Sequence, residues 1–295
     1  MADSDSFFDI ASKEYSGKQR DEQNPGIDAM QSQNWKIQPE VFCGIITLIN
    51  DTASLAAARA AVDSIRKYNS MLQPYIIPAV TPETLDVELK SFRKTIKDWT
   101  YPYKPGDSRI DIKSGMTLSA YNAKDYLKVV SCLVSHMKCW RMSLMLNTTL
   151  VILEHDAIFT KKFDLFNDIY GSGRDTSIIQ LNNPLGATRK SQTFYDGLQL
   201  QLTETGNDNE VKEGYTRLLD APWVDTDRVS PQGLAGNSAY VMNPGPAFKL
   251  FKLIDEHGLW PNDAIMCKQL LGEGILKVAY PHYTKLQGVA STTQG

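Results

Sequence analysis

Two carboxylates set two residues apart close an apolar run in LVILEHDAIF, where Glu154 and Asp156 follow directly on Leu153. An apolar strand that stops in two acids delivers hard oxygen ligands to a sheet edge. Oxygen donors of that kind suit Mg²⁺ or Mn²⁺, which also take phosphate oxygens from a substrate. The same pattern is also that of a strand ending in solvated polar residues. Upstream, CLVSHMKCW (132–140) sets Ser135 and His136 on one helix with Trp140 a turn later, and a lone helical His reads equally as a core or capping group. Near the C-terminus, His282 in AYPHYTKLQG is a further candidate metal ligand or a structural His in a Tyr/Pro loop. Asn237 and Ser238 offer hydrogen bonds to a polar ligand, with Gly233 and Gly236 letting a loop approach closely, or they form an ordinary polar turn.

These residues need a scaffold, and the hydropathy pattern supplies one. VFCGIITLI from Val41 is apolar on both faces, as a buried parallel strand would be. It ends in Asn50, Asp51 and Thr52, which offer helix N-caps ahead of an Ala-rich segment with Leu55, Ala58, Val62 and Ile65 on one face. PYIIPAV (74–80) reads as the next strand. Strand, helix and strand in that order form a βαβ unit, so an α/β fold with a mostly parallel sheet flanked by helices is expected. A long helix from Lys124 to about Leu146 precedes the strand TLVIL (149–153). SIIQL (177–181) and SAYVMNP (238–244) read as strands, PAFKLFKLIDEHG (246–258) as a helix closed by Gly258, and 183–236 as loops or short strands over one face. Residues 1–38 are polar and mixed in charge, and read as a flexible or loosely docked arm before a single domain at 39–295.

Composition narrows the classes. The 295 residues carry 31 Lys+Arg against 34 Asp+Glu, a net charge of −3, with 42% hydrophobic residues. No stretch approaches the ~20 apolar residues of a membrane helix, and the acidic start lacks a signal-peptide pattern. Four Cys without a C-x-x-C pair argue against a disulfide scaffold or zinc finger and suit a reducing cytoplasm. P-loop, dinucleotide, nucleophile-elbow and H-E-x-x-H motifs are missing, so kinase, dehydrogenase, serine hydrolase and zincin readings lack their anchors.

Taken together, SCLVSHMKCW…LVILEHDAIF resembles the G-C-x-x-S-H-x-x-x-W…L-E-D-D-A core of glycosyltransferase family 25, the lipooligosaccharide- and collagen-type sugar transferases. IITLINDTASLAAAR (45–59), IIPAV (76–80), GLAGNSAYVMNPGPAFKLF (233–251) and WPNDAIM (260–266) are similar to further segments of the family in the same order. The resemblance spans about 42–290. His155 stands where the family has the first of two Asp residues, and Ser131 where it usually has Gly. The His155 change bears on the metal preference more than on the fold.

The resemblance implies a GT-A fold and inverting transfer from a nucleotide sugar, usually UDP-linked and assisted by Mn²⁺ or Mg²⁺. On that reading Asp156 is the metal ligand, and Glu154 orients the ribose or holds a metal-bound water. Asn50, Asp51, Arg59, Ala79 and Val80 lie where the nucleotide would be gripped, although Arg59 also reads as plain helix surface. Asp263 matches the position of the base that deprotonates the acceptor hydroxyl, and would otherwise cap the helix AIMCKQLL. The acceptor is a glycan, a protein or, alternatively, a modified base in DNA. That alternative comes from 90–113, where seven Lys/Arg and three Asp give a local charge of +4 with Trp99, Tyr101 and Tyr103 interleaved. A glycan-binding protein without turnover on the same fold is the remaining alternative.

Overall fold

The computed structural model describes residues 41–162, 177–188, 190–212 and 215–288. The arm expected at 1–38 lies outside them.

The first strand, β1 (Val41–Thr47), is buried on both faces, as its unbroken apolar sequence requires. Asp51 caps the following helix, α1 (Thr52–Tyr68), by accepting the Ser54 backbone N–H at 2.7 Å. Strand β2 (Leu72–Pro78) returns parallel to β1, completing the βαβ unit. A short helix α2 (Leu85–Ser91), a 3₁₀ turn (Ile96–Asp98) and a hairpin of β3 (Ser108–Ile110) and β4 (Thr117–Ser119) then lead to the long helix α3 (Tyr126–Leu146).

After α3 come β5 (Leu150–Glu154), β6 (Ala157–Phe159), β7 (Ile178–Gln180), α4 (Ser191–Thr205), α5 (Asp208–Lys212) and β8 (Arg217–Asp220). They are followed by β9 (Ala239–Met242), α6 (Pro244–His257), α7 (Asn262–Ile265), α8 (Lys268–Leu271), β10 (Leu276–Tyr280) and β11 (Thr284–Leu286). Among the described residues the main sheet has seven strands in the order β2-β1-β5-β9-β7-β10-β8. Five run one way; β9 is antiparallel to both its neighbours and β8 is antiparallel to β10.

Alternate residues of the central strands feed two apolar layers. Leu150 and Ile152 join one cluster with Trp140, Tyr240 and Leu250, whereas Val151 and Leu153 join another with Ala58, Ile65 and Phe159. The mostly parallel, helix-flanked sheet agrees with the expected α/β class. Two local readings need correction. The stretch 183–236 contains α4, whose Phe194, Leu198 and Leu202 are buried at four-residue spacing. The helix expected over AIMCKQLL is broken at Met266 and Cys267 into α7 and α8.

Candidate active site

Strand β5 ends at Glu154, whose backbone N–H still pairs with the Ser238 carbonyl at 2.7 Å. The chain then turns through His155 and Asp156 into β6. Gln287 fastens this turn: its backbone N–H donates to the Asp156 carbonyl at 2.9 Å, and its side-chain amide to the Ala57 and His155 carbonyls at 3.0 and 3.2 Å. Because the bend ends the alternation of faces, the two carboxylates meet different surroundings. Glu154 Oε1 lies 3.3 Å from His136 Nε2. Burial pushes the Glu154 carboxyl up, but the His136 hydrogen bond and the charges of His136 and His155 carry it below its ordinary value. Asp156 has a buried Oδ1 without a protein hydrogen-bond partner. Burial and the nearby Glu154 charge raise its carboxyl. A buried carboxylate oxygen without a donor is where a cation fits.

Helix α3 holds Glu154 through a chain of hydrogen bonds. Trp140 Nε1 can only donate, and it donates to the Tyr240 hydroxyl at 2.9 Å. That hydroxyl lies 2.8 Å from His136 Nδ1. Tyr240 thus bridges Trp140 and His136, and the Nε2–H of His136 donates to the Glu154 carboxylate. Ser135 secures a different strand end, accepting from the Val80 backbone N–H at 2.8 Å and donating to the Ser131 carbonyl at 2.8 Å. The Ser-His pair is therefore structural, tying β2 and β5 to one helix. Cys132, His136 and Glu154 form the one group among the described residues whose three ligand atoms lie within 4.8 Å of one another. Within it His136 and Glu154 already engage each other, and burial with the Glu154 and Asp263 charges pushes the Cys132 thiol far up.

Asp263 sits in the first turn of α7, with Pro261 rather than Asp263 at the N-cap. Its Oδ1 accepts the Tyr121 hydroxyl at 2.5 Å. Burial pushes the Asp263 carboxyl above its ordinary value, against the Tyr121 hydrogen bond, the backbone N–H groups of Asp263 and Ala264, and the His136 charge. Asp263 and Tyr121 line a cleft of about 420 Å³ with Thr117, Ser119, Phe194 and Gln232. Lys190 and Asp225, which also line it, form an ion pair. Gly233 closes the cleft wall against the α7–α8 junction, where a Cβ would come within 2.3 Å of the Met266 carbonyl. Its openness to close approach thus serves packing.

The other expected residues divide. Val80 and Ala79 sit at the carboxyl ends of β1 and β2, Ala79 N–H donating to the Thr47 carbonyl at 2.8 Å. Asn237 and Ser238 reach the same edge because β9 runs antiparallel, and both Asn237 side-chain polar atoms are buried without a partner. Asn50 and Arg59 are exposed, and the Asp51 carboxylate is engaged as the α1 cap. His282 does not join Glu154 and Asp156. In the β6–β11 ribbon Leu286 pairs with Ala157 and Thr284 with Phe159, so the Asp156 turn lies at one end and His282 beyond the other. There it packs against Tyr195 and Tyr280, and burial pushes its imidazole down to about 4. Sequence reasoning missed Tyr121 and Tyr240, which lie far along the chain from the groups they hold.

The basic stretch 90–113 is tied to α6 at two of its lysines. Lys94 pairs with Asp255 at 2.6 Å, Lys113 donates to the Glu256 carbonyl, and Tyr101 is buried. Tyr103 packs on Tyr126 with centroids 4.6 Å apart.

No curated protein matches the chain in sequence. Among solved structures it is similar to mouse xyloside xylosyltransferase 1 in its apo form, at 10% identity and a TM-score of 0.36, covering 79% of this chain and 81% of that one. The sequence model of glycosyltransferase family 25 (LPS biosynthesis protein) matches residues 107–266, more than half of the 295 residues and the whole stretch from the β3–β4 hairpin through α7. The chain belongs to glycosyltransferase family 25.

Proposed function

We propose that this glycosyltransferase takes a UDP-linked sugar as donor, uses a divalent cation and inverts the transferred sugar, with Asp263 as its base. The observation that carries the reading is the buried Asp156 oxygen without a protein partner at the carboxyl edge of the sheet; a second carboxylate, Asp263, lining a cleft, supplies a candidate base. In mostly parallel α/β sheets that edge is where nucleotides bind. Asn237, with its side-chain amide unengaged, is placed to accept or donate to the donor there. Glu154, held by His136, keeps its charge and is oriented toward the ribose or a cation-bound water.

The acceptor hydroxyl oxygen forms a bond to the anomeric carbon as the bond from that carbon to the diphosphate oxygen breaks. The hydroxyl proton passes to Asp263, and the electron pair leaves with the nucleoside diphosphate. Asp156 is the ligand for Mn²⁺ or Mg²⁺, whose contribution when bound is Lewis-acid neutralisation of the departing diphosphate. A glycan or protein hydroxyl is the acceptor in this reading, with a modified DNA base as the alternative that the basic stretch 90–113 supports.

Asp263→Asn tests the reading through UDP release from a panel of UDP-hexoses with glycan acceptors present. General-base loss costs on the order of 10²–10⁴-fold in kcat with donor KM little changed. Wild-type turnover in Asp263→Asn would overturn the assignment.

A further inference from the structure

Among the described residues, Tyr121 is a side chain outside the Glu154 network that grips a candidate catalytic group. It follows directly on the β3–β4 hairpin, is packed edge-on to Tyr101 with centroids 5.7 Å apart, and donates its hydroxyl to Asp263 Oδ1 at 2.5 Å. Tyr101 in turn meets Trp260 edge-on at 5.8 Å, so the ring that carries the hydroxyl is wedged in an aromatic stack running from the hairpin to the residues before α7. Two segments that meet only in the folded state are thereby locked at the carboxyl.

Resting on Asp263 as the base, we propose that Tyr121 is a positioning residue for it: its hydroxyl fixes the rotation of the Asp263 carboxyl in the cleft and favours the charged, proton-accepting form. The hydroxyl works against burial, which favours the neutral acid. The other titratable groups facing Asp263 are Tyr101 before the hairpin and Cys132 and His136 on α3. Of these only His136 also favours the charged form, whereas the Tyr121 hydrogen bond is direct. Lys190 and Asp225 in the same cleft are spent on each other.

The test is the pH dependence of kcat/KM for UDP release, using the UDP-hexose that the wild-type enzyme turns over fastest. In Tyr121→Phe the ring stack stays and only the donor to Asp263 goes. The acid limb should then move to higher pH by about one unit, the size of a hydrogen bond to a charged group. Activity above the limb should recover to within a few-fold of wild type. Tyr101→Phe, which removes the neighbouring hydroxyl and keeps both the stack and the donor, should leave the limb in place. A Tyr121→Phe enzyme whose melting temperature matches wild type and whose limb does not move overturns the inference. So does an equal shift in Tyr101→Phe. Asp263→Asn separates the two claims: if it is inactive while Tyr121→Phe shows no shift, the positioning role alone falls. If Asp263→Asn turns over like wild type, the base assignment falls first.

Discussion

Glu154 and Asp156 stand two positions apart and have opposite electrostatic fates, because one faces a helix that carries a donor and the other is raised by burial and by its neighbour's charge. The helix side is costly to disturb. Tyr240 is fully buried, receiving the Trp140 N–H and serving His136. Tyr240→Phe leaves both partners unsatisfied in the core, a loss of ~2–4 kcal/mol, which lowers the melting temperature by on the order of 5 °C or more. A melting temperature within a degree of wild type would show that the network adds nothing. The acids and the Ser-His pair were marked as candidates in the sequence by short motifs, and Asp263 by the family resemblance. Their partners were not. Tyr121 is 142 residues from Asp263 and Tyr240 is 104 from His136, separations that only the folded sheet closes.

At the level of elements, the strands legible in sequence are those buried on both faces, where an unbroken apolar run leaves one reading. Helix α4 escaped because Gln and Thr dilute its buried stripe and Lys190 at its start offers no side-chain cap. The reversed direction of β9 was hidden for a different reason: direction leaves no mark on an apolar strand, yet it is what carries Asn237 to the site. The β3–β4 hairpin overlaps the basic stretch 90–113, which stood out in the sequence by its charge and aromatics alone. It is held to the end of α6 by Asp111, whose Oδ2 accepts from His257 Nδ1 at 3.0 Å and from the Ser114 backbone N–H at 2.9 Å. Burial raises the Asp111 carboxyl, but the Ser114 and His257 interactions bring it below its ordinary value. Its contribution is therefore complete above the unfolded carboxyl pKa of ~3.9 and is lost as pH falls through the lower folded value. Asp111→Asn should cost ~1–2 kcal/mol near pH 7, with the gap to wild type closing below about pH 4. Urea denaturation at both pH values measures it, and a gap that persists in acid contradicts the account.

Across the whole molecule, one sheet separates two apolar layers and gathers the site at one edge. The α3 layer supplies Cys132, His136 and the aromatic stack, and the α1 layer supplies the ribbon whose Gln287 pins the Asp156 turn. No helix among the described residues is long and apolar enough to cross a membrane. The central claim is a nucleotide site completed by a cation on Asp156, and calorimetric titration of UDP with and without Mn²⁺ tests it most directly. Wild type should bind UDP at least tenfold more tightly with Mn²⁺ present, and Asp156→Asn should lose that gain without loss of melting temperature. UDP binding of equal strength with and without Mn²⁺, or an undiminished Mn²⁺ effect in Asp156→Asn, would contradict it.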